Sequence, residues 1–146
     1  MRVITLLVVH CSAVGPDQTS SAAQIDTWHR QQGWKFGIGY HYVIRRDGTI
    51  EPGRPEWMVG AHCLNHNAHS IGICYEGGLD IRGKEADTRT PAQKIAMRQL
   101  LEELRQRYPR ALIVGHHDLD PRKPCPCFDV AEYADLQPKR ASVMCI

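Results

Sequence analysis

The sequence predicts an α/β fold: a single domain with a central mixed β-sheet and helices on both of its faces. Short apolar runs typical of buried strands alternate along the chain with segments of helical periodicity. No internal repeat, low-complexity tract or linker interrupts the 146 residues, and a chain of this length fits one domain. We expect a core over about residues 3–135 and a short tail at 137–146.

The first apolar run, residues 3–9, is interpreted as a buried strand. It has only seven residues and follows a single positive charge, so it lies at the lower limit for the apolar part of a secretory signal. No segment reaches the roughly 20 apolar residues that a membrane helix needs. We therefore expect synthesis in the cytoplasm without an export signal, and no insertion into a membrane.

The first helix is predicted to begin after Ser21. Ser21 and Gln24 have the spacing of a capping box, and Ile25 and Trp28 lie three residues apart on one helical face. His29 follows Trp28 directly and is expected to be a solvated side chain.

Two strands joined by a tight turn are predicted in "GYHYVIRRDGTIEPG", residues 39–53. The turn is placed at Asp47 and Gly48, because glycine supplies the positive φ that a tight hairpin requires. A further apolar run at 70–75 predicts another strand, in which Cys74 is expected to act as a small packed side chain.

The clearest helix begins at Thr90, where "TPAQ" combines an N-cap threonine, a proline at the first helical position and a glutamine at the third. Apolar residues recur at helical spacing through to about Tyr108, at Ala92, Ile95, Ala96, Leu100 and Leu104. "ALIVG" then predicts a buried strand that leads to His116, and a last short helix is expected at 128–136.

Composition excludes several classes of protein. With 42% hydrophobic and 23% charged residues the chain is typical of globular proteins. A net charge of +2, from scattered basic residues, is too small to indicate nucleic-acid binding. Six cysteines without an export signal leave packing, metal binding or catalysis as their expected roles rather than a disulfide framework.

Two of the predicted strands end in a histidine. "LLVVHCS" places His10 where an apolar strand meets a polar loop, and "LIVGHHD" does the same with His116. If these strands are neighbours, both imidazoles converge, and Cys125 can return from the proline-rich loop "DPRKPCP" as a third ligand. Zinc binds imidazole nitrogen and thiolate sulfur tetrahedrally, so three ligands leave a fourth position for water. The pattern predicts a zinc site in a groove at the strand ends.

The loop also admits other arrangements. Cys127 can join the ligands to close a structural zinc site, whereas a disulfide between Cys125 and Cys127 would be strained by the single intervening residue. His117 follows His116 directly, and neighbouring residues on an extended chain point in opposite directions, so we do not expect both to reach one metal.

Taken in order, the motifs resemble those of the zinc-dependent N-acetylmuramoyl-L-alanine amidases of the amidase-2 type. That family also includes the peptidoglycan recognition proteins and the amidases called lysozymes in some tailed phages. The resemblance runs from about residue 3 to residue 135 and rests on "VVHCSA", "GWKFGIGYHYVIRRDGTIEPGR", "VGAHCLNHNAHSIGI", "TPAQ" and "GHHDLDPRKPCP". It implies one Zn²⁺ per chain and hydrolysis of the amide between the lactyl group of N-acetylmuramic acid and L-alanine.

The resemblance also implies roles for individual residues. His10, His116 and Cys125 correspond to the zinc ligands, Tyr40 to the tyrosine near the catalytic water, and Lys123 to the lysine that faces the developing oxyanion. Zinc chemistry agrees with these roles, because the metal lowers the pKa of a bound water to about 7 and polarises a carbonyl.

Further positions match the substrate groove or depart from the family. His62 and Asn67 match positions that line the groove. Many relatives carry a glutamate where this chain has Cys74. The phage-lysozyme branch also has a non-acidic residue there and is still active, which suggests that Tyr40 and the catalytic water share the proton handling. Many also have aspartate as third ligand, so Cys125 points to the phage-like or recognition-protein branch.

The resulting hypothesis is a zinc amidase that acts on peptidoglycan or muropeptide as a monomer. Its rivals are a peptidoglycan-binding module of the same fold that does not cleave, and a structural-zinc protein without a peptidoglycan role. We expect the protein to act on the cell wall after phage-type release. The alternatives are recycling of wall fragments in the cytoplasm and a role as a secreted effector.

Overall fold

A five-stranded sheet forms the centre of the molecule in the computed structural model, which describes residues 2–138. Its strands are β1 (Leu6–Cys11), β2 (Tyr42–Ile44), β3 (Ile50–Pro52), β4 (Ser70–Tyr75) and β5 (Leu112–Gly115). Their order across the sheet is β3, β2, β4, β1, β5. Four strands run parallel and β3 pairs antiparallel with β2, so the predicted mixed sheet is confirmed.

Helices cover both faces of the sheet, as predicted. Helix α1 (Ala22–Gln31) packs on one face, where Ile25 meets Val43 and Cys74. Helix α2 (Pro91–Arg107) and a 3₁₀ segment (Val130–Leu136) pack on the other face. The alternation of strand side chains supplies both cores, and Cys74 is a buried packing residue as expected.

Both long helices begin at the predicted residues. Ser21 and Thr90 each accept a hydrogen bond from the backbone N–H three residues on, and the side-chain oxygen of the glutamine at that position accepts one from the backbone N–H of the cap residue. Each capping box satisfies two backbone donors that the helix cannot pair internally.

One part of the predicted α2 face is wrong. Ile95 is 62% exposed, and the buried stripe is Gln93, Ala96, Met97, Leu100, Leu101 and Leu104. The Gln93 side chain sets this rotation, because its amide donates to the carbonyls of Ile44 and Glu76 on the sheet.

The remaining connections follow the turn chemistry of the sequence. Gly48 has a φ of 88° in the predicted hairpin turn.

The last predicted helix forms as the 3₁₀ segment at Val130–Leu136. Just beyond it, the Gln137 side-chain amide donates to the Ile113 carbonyl and accepts from the Ile113 N–H on the outer edge of β5. Most of the expected tail, with Cys145, lies outside the described residues. Within residues 2–138, no helix combines the length and apolar character needed to cross a membrane.

Candidate metal and catalytic site

Three residues that can bind a metal, His10, His116 and Cys125, meet at the carboxyl end of the sheet and are together called the ligand group. A nitrogen from His10, a nitrogen from His116 and the sulfur of Cys125 all lie within 4.8 Å of one another. The sulfur is 3.8 Å from His10 Nδ1, and the two imidazole ring centres are 4.6 Å apart. Two imidazoles and one thiolate suit tetrahedral zinc and leave one coordination position for water or substrate.

Parallel pairing of β1 and β5 brings the two histidines together. Val9 pairs with Gly115, so His10 and His116 emerge side by side at the end of their strands. Helix α3 (His116–Leu119) begins at once and turns the chain. His117 is exposed, with its Nδ1 2.7 Å from the Lys123 carbonyl, so it points away from the ligand group as expected.

Backbone hydrogen bonds hold the cysteine loop against β1 and α3. The Cys11 N–H donates to the Cys125 sulfur at 3.1 Å, and the His117 N–H donates to the Cys125 carbonyl at 2.8 Å. The Tyr75 hydroxyl donates to the Pro126 carbonyl at 2.7 Å. The position of the third ligand therefore comes from bonds to three separate segments of the chain.

Cys127 lies outside the ligand group. Its sulfur is 3.8 Å from the Cys11 sulfur, and its φ of 67° turns the chain away from the histidines. In the stretch from residue 2 to residue 138, only His10, His116 and Cys125 are placed to share a metal. The structure therefore does not bring together the four-ligand site that the sequence left open.

Burial keeps the ligand imidazoles neutral. It lowers the pKa of His10 well below its ordinary value, and the nearby His62 and His116 lower it further. Burial also lowers the pKa of His116, and Lys123 adds to that shift. Because a metal binds the unprotonated nitrogen, the fold presents both rings in the form that binds.

His62 has a contact that the sequence did not indicate. Its Nδ1 lies 2.8 Å from His10 Nε2 and its Nε2 lies 3.1 Å from the Ser70 hydroxyl. Burial lowers the pKa of His62 to about 3. Asn67 shapes the same loop, because its side-chain oxygen accepts from the backbone N–H groups of His62 and Cys63.

Tyr40 stands over the ligand group from the side of α1. Its ring centre is 5.1 Å from that of His10. Burial raises the pKa of the Tyr40 phenol well above its ordinary value, and nearby Cys74 raises it further. The phenol therefore keeps its proton and is available as a hydrogen-bond donor at neutral pH.

His29 is half-buried rather than solvated, so that expectation is wrong. Gly33, with a φ of 94°, turns the chain back and places Trp34 at 4.2 Å from the His29 ring. His29 Nδ1 then accepts from the Gly39 N–H at 2.9 Å and supports the segment that carries Tyr40. The glycine and tryptophan that follow the helix were the signal for this return.

A groove of about 410 Å³ runs past the ligand group. It is lined by Trp34, Ala61, His62, Cys63, Leu64, Asn67, His116, Leu119, Asp120, Arg122 and Lys123. His62, Asn67 and Lys123 thus lie at the same groove as His116. Lys123 is exposed on the rim, beside an ion pair between Arg122 and Asp120.

Comparison with known proteins identifies the family. The family model described as N-acetylmuramoyl-L-alanine amidase matches residues 1–128. The chain belongs to this family. The amidase resembles the endolysin of Escherichia phage T7, with 44% identity over 127 residues that cover 87% of this chain and 83% of the relative. The endolysin of Enterobacteria phage K11 is also 44% identical, over 125 residues covering 86% and 82%.

Solved structures of an endolysin amidase and of a Drosophila protein have the same fold. The endolysin amidase LysCS from Clostridium intestinale superposes with a TM-score of 0.78 at 34% identity, over 93% of this chain and 85% of that protein. Drosophila PGRP-LB superposes with a TM-score of 0.74 at 23% identity, over 92% and 81%, which shows a common fold. The predicted family, fold and enzyme class of this amidase are confirmed.

Proposed function

We propose that this amidase is a zinc enzyme that hydrolyses the amide between the lactyl group of N-acetylmuramic acid and the L-alanine of the peptidoglycan stem peptide. The observation that carries the proposal is the three-member ligand group of His10, His116 and Cys125 beside an open groove. A closed four-ligand site would stabilise the fold, whereas three ligands leave room for chemistry. We propose that residues 1–146 form a single amidase domain with its core over about residues 3–135.

The chain's own residues take defined parts in this proposal. When bound, one Zn²⁺ supplies the Lewis acidity that activates water and polarises the amide carbonyl. Tyr40 keeps its phenolic proton and donates it as a hydrogen bond that orients the attacking water. Cys74 is a fully buried thiol whose pKa is raised by that burial, so it does not serve as a base. Tyr40 therefore shares the proton handling by orienting the water, while the proton that the water gives up leaves with the amine.

Lys123 stabilises the charge that develops during the reaction. The amide oxygen gains negative charge as water adds to the carbonyl carbon, and the exposed ammonium of Lys123 on the groove rim donates to it. The carbon–nitrogen bond then breaks, and the amine of L-alanine leaves with a proton that originates from the water.

The side chains that line the groove are suited to binding a peptidoglycan fragment. Trp34 and Leu64 offer apolar surface to the faces of a sugar or peptide, and Asn67 and His62 lie on the same wall. The basic side chains of Arg122 and Lys123 suit the carboxylates of a stem peptide. We propose that the enzyme works as a monomer on the cell wall, after release of the phage-lysin type.

The test is digestion of purified peptidoglycan with the zinc-loaded protein. Newly freed L-alanine amino groups are expected, without new reducing sugar ends. Cys125→Ala should lose both zinc and cleavage, and Cys127→Ala, two residues away and outside the ligand group, is the matched control that should keep both. Zinc and muropeptide bound without cleavage would instead establish a non-cleaving recognition module. Loss of zinc from Cys127→Ala would establish a structural site.

A further inference from the structure

The ligand His10 is backed by a chain of two hydrogen bonds, from His10 to His62 and from His62 to Ser70. We propose that His62 and Ser70 are positioning residues, which fix His10 in the tautomer that leaves Nδ1 free for the metal. This inference rests on the proposed zinc site and assigns to His62 a second role besides that of a groove wall.

The distances show which atoms pair, and the requirement that Nδ1 be free for a metal then sets the direction of each hydrogen bond. Cys125 Sγ lies 3.8 Å from His10 Nδ1, so Nδ1 is the nitrogen that faces the ligand group. Nδ1 must be unprotonated to bind a metal, and a neutral imidazole then carries its proton on Nε2. His10 Nε2 is 2.8 Å from His62 Nδ1, which therefore accepts that proton.

The same reasoning continues to the next residue. His62 accepts at Nδ1, so as a neutral ring it carries its own proton on Nε2. That nitrogen lies 3.1 Å from the Ser70 hydroxyl, which accepts. Each ring nitrogen from His10 to His62 thus has one role, and reversing any bond would place a proton on the nitrogen that faces the ligands.

The His62 ring is held in a fitted slot over β4. A Cβ at Gly72 would lie 2.6 Å from the ring, and a Cβ at Gly60 would lie 2.8 Å from its Cδ2. On its other side the ring meets His41 edge to face, with ring centres 5.9 Å apart. Only 9% of His62 is exposed. A glycine in the middle of the central strand is explained by this ring, since a larger residue would push it off His10.

Partners of this kind affect metal binding directly. The second nitrogen of a metal-bound histidine is usually held by a hydrogen-bond acceptor, and losing that acceptor typically costs about 10- to 100-fold in metal affinity or activity. A residue that only touched substrate would change KM and leave zinc affinity as it was.

The first experiment measures the zinc dissociation constant by competition with a chromophoric chelator at neutral pH. His62→Leu removes the acceptor and is expected to weaken zinc binding about 10- to 100-fold. His62→Asn places its side-chain oxygen near the position of Nδ1 and should restore affinity to within a few-fold of the parent. Ser70→Ala should fall between the two.

The control is His66→Ala, in the same loop. The His66 side chain contacts His69 at 3.1 Å and, among the described residues, makes no hydrogen bond to His10, His62 or Ser70, so its loss should leave zinc affinity unchanged. Equal affinity of the parent and His62→Leu would overturn the positioning role, whereas failure of the parent itself to bind zinc would overturn the proposed function. Circular dichroism checks that each variant is folded.

Nitrogen-15 spectroscopy of the metal-free parent tests the tautomer without any variant. Protonated and unprotonated imidazole nitrogens have widely separated shifts. A proton on His10 Nε2 is expected, shifting toward Nδ1 in part of the population in Ser70→Ala. A proton on Nδ1 of the parent His10 would overturn the inference, even where His62→Leu fails to fold.

Discussion

Two buried polar clusters of this molecule differ in how their groups are satisfied. Around Arg89, whose side chain is 1% exposed, the guanidinium donates to Asp87, Glu132 and the Tyr133 hydroxyl and stacks at 3.4 Å on the Phe128 ring. At the ligand group, one nitrogen from each of two imidazoles and one sulfur lie within 4.8 Å of one another without a charged partner from residues 2–138 between them.

The comparison shows that the Arg89 cluster stabilises the fold, whereas the ligand group is arranged to bind a metal. A buried charge is stabilised only when its hydrogen bonds are complete, which Arg89 achieves within the chain. The ligand group is also held by the chain, through His62 on His10 and the Cys11 N–H on Cys125, but its three ligand atoms have no charged partner among the described residues to complete them and suit a metal instead. We therefore expect changes at Arg89 to alter folding, and changes at the ligand group to alter chemistry.

Removal of the metal should give the largest effect on activity and a small one on structure. A chelator is expected to reduce amide hydrolysis to background, because the Lewis acid is lost. The far-ultraviolet circular dichroism spectrum should persist, since the core is built from apolar side chains of the sheet and α2, and of the three ligands only Cys125 packs against it. Activity is measured before and after zinc is returned. If the metal-free chain unfolded, the ligand group would also stabilise the fold, which would contradict the difference between the two clusters.

Replacement of Lys123 tests the open side of the site. Lys123→Ala is expected to lower kcat by roughly 10²- to 10³-fold, because one oxyanion donor is removed. Zinc affinity should stay near that of the parent, since Lys123 is not a ligand. Steady-state kinetics on a soluble muropeptide measure the effect, with Lys84→Ala, outside the groove, as the control. A change in KM alone would reduce Lys123 to a binding residue.

Replacement of Arg89 tests the closed cluster. Arg89→Ala leaves two carboxylates and the Tyr133 hydroxyl without their partner and is expected to lower the free energy of unfolding by about 2 to 4 kcal/mol, given that the carboxylates are partly exposed. Arg98→Ala removes an exposed ion pair with Asp135 and should cost under about 1 kcal/mol. Urea unfolding compares the two. A fall in zinc affinity in folded Arg89→Ala would show that the clusters are coupled.

Acid should weaken the Arg89 cluster by a smaller amount. Hydrogen bonds from Arg89 hold the pKa of Asp87 below its ordinary value, so the unfolded chain binds a proton at a higher pH than the folded one does. This contribution is complete above about pH 4 and is lost as the pH falls through the folded pKa. We expect about 1 kcal/mol or less from this partly exposed group. The free energy of unfolding, measured at several pH values across this range, should change less steeply with pH for Asp87→Asn than for the parent. Equal slopes would show that other groups cause the acid sensitivity.

Local signals made most of the fold predictable. Capping boxes at Ser21 and Thr90, apolar runs and the Asp47-Gly48 turn depend on neighbours in sequence, and they placed the elements to within a few residues. The first strand, predicted at residues 3–9, forms at Leu6–Cys11, and Val3 is exposed. The ligand group followed from two strand ends and one cysteine loop, because neighbouring parallel strands bring their carboxyl ends together.

What escaped prediction depends on distant contacts. The rotation of α2 that exposes Ile95 is set by Gln93 reaching the sheet, and the burial of His29 is set by the returning Trp34. His62 meets His10 across 52 positions of sequence. No periodicity or spacing encodes such contacts, since they exist only once the sheet has assembled.

The amide of Gln137 on Ile113 has a consequence for concentrated solutions of the protein. An outermost strand normally presents free N–H and C=O groups on which a strand of another molecule can add. On β5 the Gln137 amide already occupies the pair at Ile113. At the opposite margin β3 has three residues and ends in Pro52, which has no N–H to donate. Among residues 2–138, neither edge of this sheet therefore offers a full row of free backbone groups for pairing with another molecule, which disfavours aggregation through the sheet edges.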